Sequence, residues 1–131
     1  MARIIHVEDD EVMGRLVKEV LGAAGHLVGV IAHGTLAFET IALKRPDLVI
    51  LDQSVPGMAG VEILRRLRQL PATYLLPILM LTGRRGQALA DDALIAGADD
   101  YITKPFAPED LVARVAAALA AKSFAANRRI R

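Results

Sequence analysis

Apolar residues along this chain follow two different spacings, which alternate through most of its length. Short runs occupy residues 3–7, 27–32, 47–51, 77–81 and 99–103; the first four are mostly apolar, and the fifth has Tyr101 and Ile102 between polar residues. Longer stretches with apolar residues three or four positions apart occupy 12–24, 35–44, 61–68, 88–96 and 109–121. Uninterrupted apolar runs are typical of strands covered on both faces, and the longer spacing is typical of amphipathic helices. The pattern therefore predicts five β-strands alternating with five α-helices.

Glycine and proline residues agree with the ends of these elements. Gly25 and Gly97 follow the first and fourth predicted helices, where glycine is a common stop. Pro46 follows the second helix, which proline cannot continue, and Pro108 suits the first turn of the fifth. Right-handed crossovers between parallel strands place helices on both faces of the sheet. We therefore predict a single doubly wound (βα)5 domain of the α/β class.

Polar residues of complementary chemistry stand at the ends of four of the five predicted strands. Glu8 and Asp9 follow the first strand, and Asp52 follows the third. Thr82 follows the apolar part of the fourth strand, and Lys104 follows the fifth. Open parallel sheets bind ligands beyond the carboxyl ends of their strands. The sequence thus predicts one pocket of carboxylates, a hydroxyl and an ammonium, which suits a hard cation and a phosphoryl group.

Composition excludes several other classes of function. The 131 residues carry 16 basic and 15 acidic side chains, a net charge of +1, which gives no electrostatic case for binding nucleic acid or membranes. The absence of cysteine excludes disulfides and thiolate sites. The apolar stretch before Glu8 is too short for a signal peptide, and the longest uncharged stretch, 70–83, is too short to span a bilayer. We expect a soluble, cytoplasmic protein.

Four short motifs resemble the receiver domain of response regulators in two-component signalling, the CheY-like superfamily. They are Val7-Glu8-Asp9-Asp10, the segment from Asp52 to Gly60, Leu81-Thr82-Gly83, and the segment from Tyr101 to Phe106. The resemblance extends from residue 3 to residue 121. It implies a flavodoxin-like parallel sheet with strand order 2-1-3-4-5. On this basis residues 1–121 form the receiver domain, and 122–131 form a helix end or a linker tail.

The resemblance implies a role for each residue of the pocket. Asp52 is the phosphoacceptor, taking a phosphoryl group from a sensor histidine kinase or a histidine phosphotransfer protein. Lys104, aimed by a cis peptide bond to Pro105, pairs with Asp52 at rest and with the phosphoryl group afterwards. The Thr82 hydroxyl also bonds that group, and the switch residue Tyr101 fills the space that Thr82 leaves. Such a chain catalyses only its own phosphorylation and dephosphorylation.

Phosphorylation adds negative charge and new acceptor oxygens, and it is expected to change a partner-binding surface. In the family this surface comprises the fourth helix, the fifth strand and the fifth helix, through which receivers also form homodimers. The sequence does not specify the kinase or the downstream partner.

The same resemblance implies that Glu8, Asp9, Asp52 and the backbone carbonyl of Ser54 hold Mg²⁺, with Mn²⁺ as an alternative. Asp9 and Asp52 would bind directly and Glu8 through water. Two unit charges about 4 Å apart repel by roughly 4 kcal/mol at an effective dielectric of about 20, a penalty that a divalent cation removes. A set of oxygen ligands without His or Cys favours these ions.

Some positions depart from the family pattern or lie outside the acceptor set. Ser54 and Arg84 occupy positions that tune the lifetime of the acyl phosphate, and we predict moderate self-dephosphorylation. Ala59 stands where a capping Asp or Ser is frequent, so the third helix is expected to begin more loosely. His6 lies within a predicted strand and is expected to be structural.

Alternative functions for a fold of this class require different sequence features. An Asp-nucleophile phosphatase needs Asp-x-Asp after the first strand and a cap insertion, whereas this chain has Glu8-Asp9-Asp10 and no long insertion. A flavodoxin-like cofactor binder needs a glycine- or hydroxyl-rich phosphate loop in place of these acids. A pseudo-receiver would act by binding alone. The chain is either a stand-alone receiver or a receiver cut from a longer protein with an output domain.

Overall fold

The computed structural model of the chain describes residues 1–83 and 96–130, with residues 123–130 described by their backbone alone. The predicted helix at 88–96 therefore lies outside the described residues, apart from Ala96 at its end, and so does Arg84.

The strands form one parallel sheet of five. They are β1 (Arg3–Val7), β2 (Leu27–Ile31), β3 (Leu48–Asp52), β4 (Ile78–Thr82) and β5 (Asp100–Thr103). Their order in the sheet is β2-β1-β3-β4-β5, and every neighbouring pair is parallel. The strand assignment is confirmed, because each run is long enough for one strand and the connections are long enough for parallel crossovers. The 2-1-3-4-5 order that the resemblance implied is confirmed as well.

The described helices are α1 (Glu11–Ala23), α2 (Gly34–Lys44), α3 (Gly60–Gln69) and a C-terminal helix (Pro108–Ile130). The C-terminal helix continues beyond its predicted end at residue 121. Its sequence is rich in alanine, the strongest helix former, and contains no glycine or proline after Pro108. None of the helices within residues 1–83 and 96–130 is both long and apolar enough to cross a membrane.

The sheet is covered on both faces, which explains why its central strands lack polar alternation. Val49 and Leu51 of β3 face the helices α2 and α3, where they join one apolar cluster. Leu48 and Ile50 face α1 and the C-terminal helix in a second cluster. All five residues of β3 are buried. The strand is therefore held rigidly, and so is the position of Asp52 at its end.

The helices α1 and α3 begin near the carboxyl ends of β1 and β3, and side chains cap their first turns. Asp10 caps α1, because its carboxylate accepts from the backbone N–H groups of Val12 (2.9 Å) and Met13 (3.2 Å). Ala59 offers α3 no side-chain cap. The Gln53 side chain supplies one instead, since its Oε1 accepts from the Val61 N–H at 2.8 Å. The expectation of a loose start for α3 therefore lacks its physical basis, and the substitute comes from the loop that follows β3.

Gly60 shows how closely α3 approaches that loop. A Cβ atom at this position would lie 2.6 Å from the carbonyl oxygen of Asp52 and 3.0 Å from the Cα of Gln53. Such contacts are shorter than real Cβ atoms tolerate, so only glycine fits. The start of α3 therefore packs directly against the backbone that carries Asp52.

Candidate functional site

The carboxyl edge of the sheet brings together the polar residues that follow four strands. Glu8, Asp9 and Asp52 each offer a carboxylate oxygen, and these oxygens lie within 4.8 Å of one another. Glu8 is 2% exposed and Asp52 is 9% exposed, whereas Asp9 is exposed to solvent. The pocket therefore holds buried negative charge with an opening on the Asp9 side.

Lys104 lies between the two buried carboxylates. Its Nζ is 3.2 Å from Oδ1 of Asp52 and 3.3 Å from Oε1 of Glu8. The Lys104–Pro105 peptide bond is cis, as the resemblance implied. The pairing with Asp52 was expected, but the contact with Glu8 was not. One ammonium is thus shared between two carboxylates.

The two carboxylates differ in how well their charge is compensated. Burial raises the pKa of Glu8, but His6, Lys104 and the Asp10 N–H together outweigh burial and lower that pKa to about 2. Burial also raises the pKa of Asp52, the negative charge of Glu8 raises it further, and Lys104 offsets only part of this rise. Glu8 therefore holds its charge readily, whereas the ionised form of Asp52 is costly in this pocket.

Thr82 presents a hydroxyl without a partner. It is the last residue of β4 and is 1% exposed. Within the described part of the chain its Oγ1 has no hydrogen-bond partner. A buried polar atom left unpaired costs about 1–3 kcal/mol, and a ligand acceptor that reached it would recover this cost.

The remaining predicted site residues lie at different distances from this cluster. Ser54 is exposed in the loop after β3. Tyr101 lies on β5, where it pairs with Met80 of β4 and packs, half-buried, against the cluster beneath α2 and α3. Arg84 lies outside the described residues.

Sequence reasoning missed one neighbour of the site. His6 Nε2 lies 3.5 Å from Oε1 of Glu8. Alternate residues of a strand point to the same face, so the spacing of His6 and Glu8 was a signal that could have found this contact.

The donor set fits a hard divalent cation. The three carboxylates of Glu8, Asp9 and Asp52 offer oxygen ligands at one point, and a single ammonium does not neutralise them all. Oxygen ligands of this kind suit Mg²⁺ or Mn²⁺. The acidic cluster could therefore hold such an ion.

Comparison with known proteins agrees with this geometry. Residues 4–116 match the family model described as the response regulator receiver domain. The chain is 44% identical over 119 residues to the phosphate regulon transcriptional regulatory protein PhoB of Rhizobium meliloti, covering 91% of this chain and 52% of that protein. It is 44% identical over 117 residues to the DNA-binding response regulator MtrA of Mycobacterium tuberculosis, covering 89% and 50%. The chain thus spans about half the length of these curated relatives.

Solved structures give the same result. The chemotaxis response regulator CheY4 of Vibrio cholerae superimposes with a TM-score of 0.84 at 30% identity, covering 90% of this chain and 98% of that chain. NtrX from Brucella abortus superimposes with a TM-score of 0.91 at 27% identity, covering 99% of this chain and 29% of that chain. The chain belongs to the response regulator receiver domain family of two-component systems.

Proposed function

We propose that this receiver accepts a phosphoryl group on Asp52 from the phosphohistidine of a sensor kinase or a histidine phosphotransfer protein. The observation that carries the proposal is the state of Asp52 in its pocket. Its carboxylate is buried and incompletely compensated, and it lies beside Lys104. Thr82 at the same edge offers a hydroxyl that has no hydrogen-bond partner among residues 1–83 and 96–122. A carboxylate whose charge is costly, next to groups that bind anionic oxygens, is suited to become an acyl phosphate.

The transfer requires no catalytic base. An ionised carboxylate oxygen of Asp52 attacks the phosphorus, and the phosphorus–nitrogen bond breaks while the new phosphorus–oxygen bond forms. The electron pair of the broken bond stays on the donor nitrogen, and the donor ring, which carries a proton on its other nitrogen, leaves as neutral imidazole. Phosphoryl transfer depends mainly on positioning and charge neutralisation. Lys104 and Thr82 supply these to the phosphoryl oxygens through an ammonium and a hydroxyl.

We infer that Glu8, Asp9, Asp52 and the Ser54 carbonyl hold Mg²⁺ or Mn²⁺, with Glu8 acting through water. When bound, the ion supplies positive charge to the transferring phosphoryl group. The exposure of Asp9 leaves the cluster open on one side, which supports entry of an ion from solvent. Glu8 stays ionised because its charge is compensated at rest.

Phosphorylation would give Lys104 and Thr82 new acceptor oxygens, and we propose that Tyr101 then fills the space that Thr82 leaves. The surface formed by β5 and the C-terminal helix would change with it and would bind a partner or a second copy of the chain. We further propose moderate self-dephosphorylation, tuned by Ser54 and Arg84.

Residues 1–121 would form the receiver, and the segment 122–131 would link it to an output domain. The long C-terminal helix and the 99% coverage of this chain by the NtrX superposition support a link of this kind. Relatives are named as transcriptional and DNA-binding regulators, so an output that acts on transcription is the candidate. In this proposal the receiver itself does not contact DNA.

The test is intact mass after incubation with acetyl phosphate. The native chain should gain one phosphoryl group only when Mg²⁺ is present, and Asp52→Asn should gain none. Asp10→Asn is the matched control, because it removes a neighbouring charge while asparagine still caps α1. It should be phosphorylated like the native chain. No gain in the native chain would contradict the proposal and would indicate a pseudo-receiver that acts by binding alone.

A further inference from the structure

A buried histidine lies directly beneath the acidic cluster. His6 is on β1, is 0% exposed, and precedes Glu8 by two residues on the same face of the sheet. Neither ring nitrogen makes a hydrogen bond with any described residue. A buried polar group without a partner is costly, and native structures rarely keep one without a reason. His6 therefore requires an explanation beyond filling space.

The surroundings of His6 favour one orientation of its polar edge. Its cross-strand neighbours, Val30 on β2 and Ile50 on β3, carry aliphatic side chains. Nε2 lies 3.5 Å from Oε1 of Glu8, at the outer limit of hydrogen-bonding distance. A small adjustment of Glu8 would close this contact. A ring with its proton on Nε2 would donate to the carboxylate, while Nδ1 would remain an acceptor without a donor among the described residues.

The other partners of Glu8 show what His6 adds. The Asp10 N–H donates to Oε2 of Glu8 at 3.3 Å, and Lys104 lies 3.3 Å from Oε1. Lys104 is shared with Asp52, and in the proposed function it turns to a phosphoryl oxygen. The Asp10 N–H is a backbone group and the His6 ring is buried, so both would remain beside Glu8 when Lys104 turns away.

We propose that His6 is a positioning residue that donates its Nε2–H to Glu8 and holds that carboxylate in the orientation that a divalent cation needs. The inference rests on the proposed function, because it deals with the same metal site. Hydrogen-bond partners of metal-binding groups typically contribute 10–100-fold to metal affinity. Since Glu8 is expected to bind the ion through water, removing the His6 donor should weaken Mg²⁺ binding by an amount at the lower end of this range.

The first test measures Mg²⁺ affinity of the unphosphorylated 131-residue chain by following backbone amide NMR signals. His6→Leu keeps the volume and removes the donor, so it should weaken Mg²⁺ binding about tenfold. His6→Gln places an amide N–H near the position of Nε2 and should recover most of the affinity. His33→Asn, at an exposed cap of α2, should bind like the native chain. Affinity in His6→Leu within about twofold of native would overturn the proposal.

The second test needs no substitution at His6 and therefore stands if His6→Leu fails to fold. Imidazole ¹⁵N shifts of the histidine-labelled native chain report which nitrogen carries the proton. The signals are assigned by removing His26 or His33 in separate variants. His6 should carry its proton on Nε2, and its shifts should move with Mg²⁺ more than those of the other two. A proton on Nδ1, or no response at saturating Mg²⁺, would overturn the proposal.

Failure of this inference can be told apart from failure of the proposed function. A native chain that binds Mg²⁺ and accepts a phosphoryl group, but whose His6 fails both tests, loses only the role of His6. A native chain that binds no Mg²⁺ loses the metal site and the role of His6 together.

Discussion

Two polar clusters at opposite edges of the same sheet differ in how completely their groups are paired. At the amino edge, Arg68 of α3 bonds the segments that lead into β4 and β5. Its Nη2 lies 3.0 Å from Oδ2 of Asp99, which also accepts from the Ile78 N–H at 2.8 Å. Its other nitrogens donate to the carbonyl oxygens of Thr73, Tyr74, Leu76 and Gly97. The guanidinium is thus paired on every side.

At the carboxyl edge the groups are similar in kind but poorly paired. Lys104 divides one ammonium between Asp52 and Glu8, and both the Thr82 hydroxyl and the His6 ring lack hydrogen-bond partners among the described residues. A fully paired network stabilises a fold, whereas an incompletely paired one lowers stability and leaves groups available to a ligand. The comparison indicates that the amino edge stabilises the fold, whereas the carboxyl edge leaves polar groups that a ligand could bind.

The largest expected effect is at the amino edge. Arg68→Met should lower the free energy of unfolding by about 2–3 kcal/mol, because it leaves partly buried carbonyl oxygens and the half-exposed Asp99 carboxylate without the guanidinium. Urea denaturation measures this change. The matched control is Arg66→Met on the same helix, whose partner Glu62 is an exposed i,i+4 neighbour. It should cost below about 0.5 kcal/mol. Equal losses of unfolding free energy in the two variants would show that the Arg68 network stabilises the fold no more than an exposed ion pair does.

At the carboxyl edge, removing one of the two buried charges should raise the free energy of unfolding instead of lowering it. Without metal at neutral pH, Asp52→Asn should raise the free energy of unfolding by about 1–2 kcal/mol, because it removes a buried charge that the pocket compensates poorly. Glu8→Gln should lower it, because the charge of Glu8 is well compensated. Thermal and urea unfolding of both variants check this contrast. A stability loss in Asp52→Asn would show that Asp52 is well paired after all.

Binding of Mg²⁺ should close the gap in pairing at the carboxyl edge. At about ten times its dissociation constant, the ion should stabilise the native chain by about 1.4 kcal/mol. Asp9→Asn should lose most of this gain, since it removes one of the three clustered carboxylates. Arg66→Met should keep it in full. A gain of the same size in Asp9→Asn would place the ion elsewhere.

The smallest effect is the acid response of the pocket, because its two carboxylates oppose each other. Folding lowers the pKa of Glu8 from 4.5 to about 2, so its contribution is full above pH 4.5 and is lost as pH falls toward 2. Folding raises the pKa of Asp52 above 3.8, so its contribution is full at low pH and is lost as pH rises through the raised value.

The two variants should separate these contributions in urea titrations from neutral pH down to pH 2, a range that covers the raised pKa of Asp52 as well as the lowered pKa of Glu8. As pH falls, stability should drop more steeply in Asp52→Asn than in the native chain, because the opposing contribution of Asp52 is absent. It should fall less steeply in Glu8→Gln. Parallel curves for all three proteins would mean that neither pKa departs from its ordinary value.

Sequence reasoning predicted most of the fold because the signals for it are local. The apolar run of β3 and the helical spacing of α1 can each be read from a short stretch of sequence. Glycine and proline mark the ends of several helices. The C-terminal helix was predicted too short, because regular apolar spacing stops near residue 121, while the residues that follow include helix formers such as alanine, lysine and arginine and contain no glycine or proline. Strand order came from the family resemblance, since no local signal says which strands are neighbours.

The candidate site likewise has one part that the sequence predicted and another that depends on the tertiary structure. The sequence by itself determined which chemical groups stand at the strand ends, Glu8, Asp52, Thr82 and Lys104 among them, because parallel strands end at a common edge. Only the tertiary structure decided how these groups pair. Lys104 lies 96 residues from Glu8 and 52 from Asp52, and its sharing between them depends on the packing of three strands.

The opposite pKa shifts of Glu8 and Asp52 were likewise decided by packing. The same holds for the Thr82 hydroxyl, which lacks a partner in the part of the chain that the structure describes, and for the cap that Gln53 supplies to α3. Burial, repulsion and hydrogen bonding between distant residues depend on distances that no local pattern contains. The sequence supplied the groups at the carboxyl edge, and the fold set their charge and the bonds they leave open.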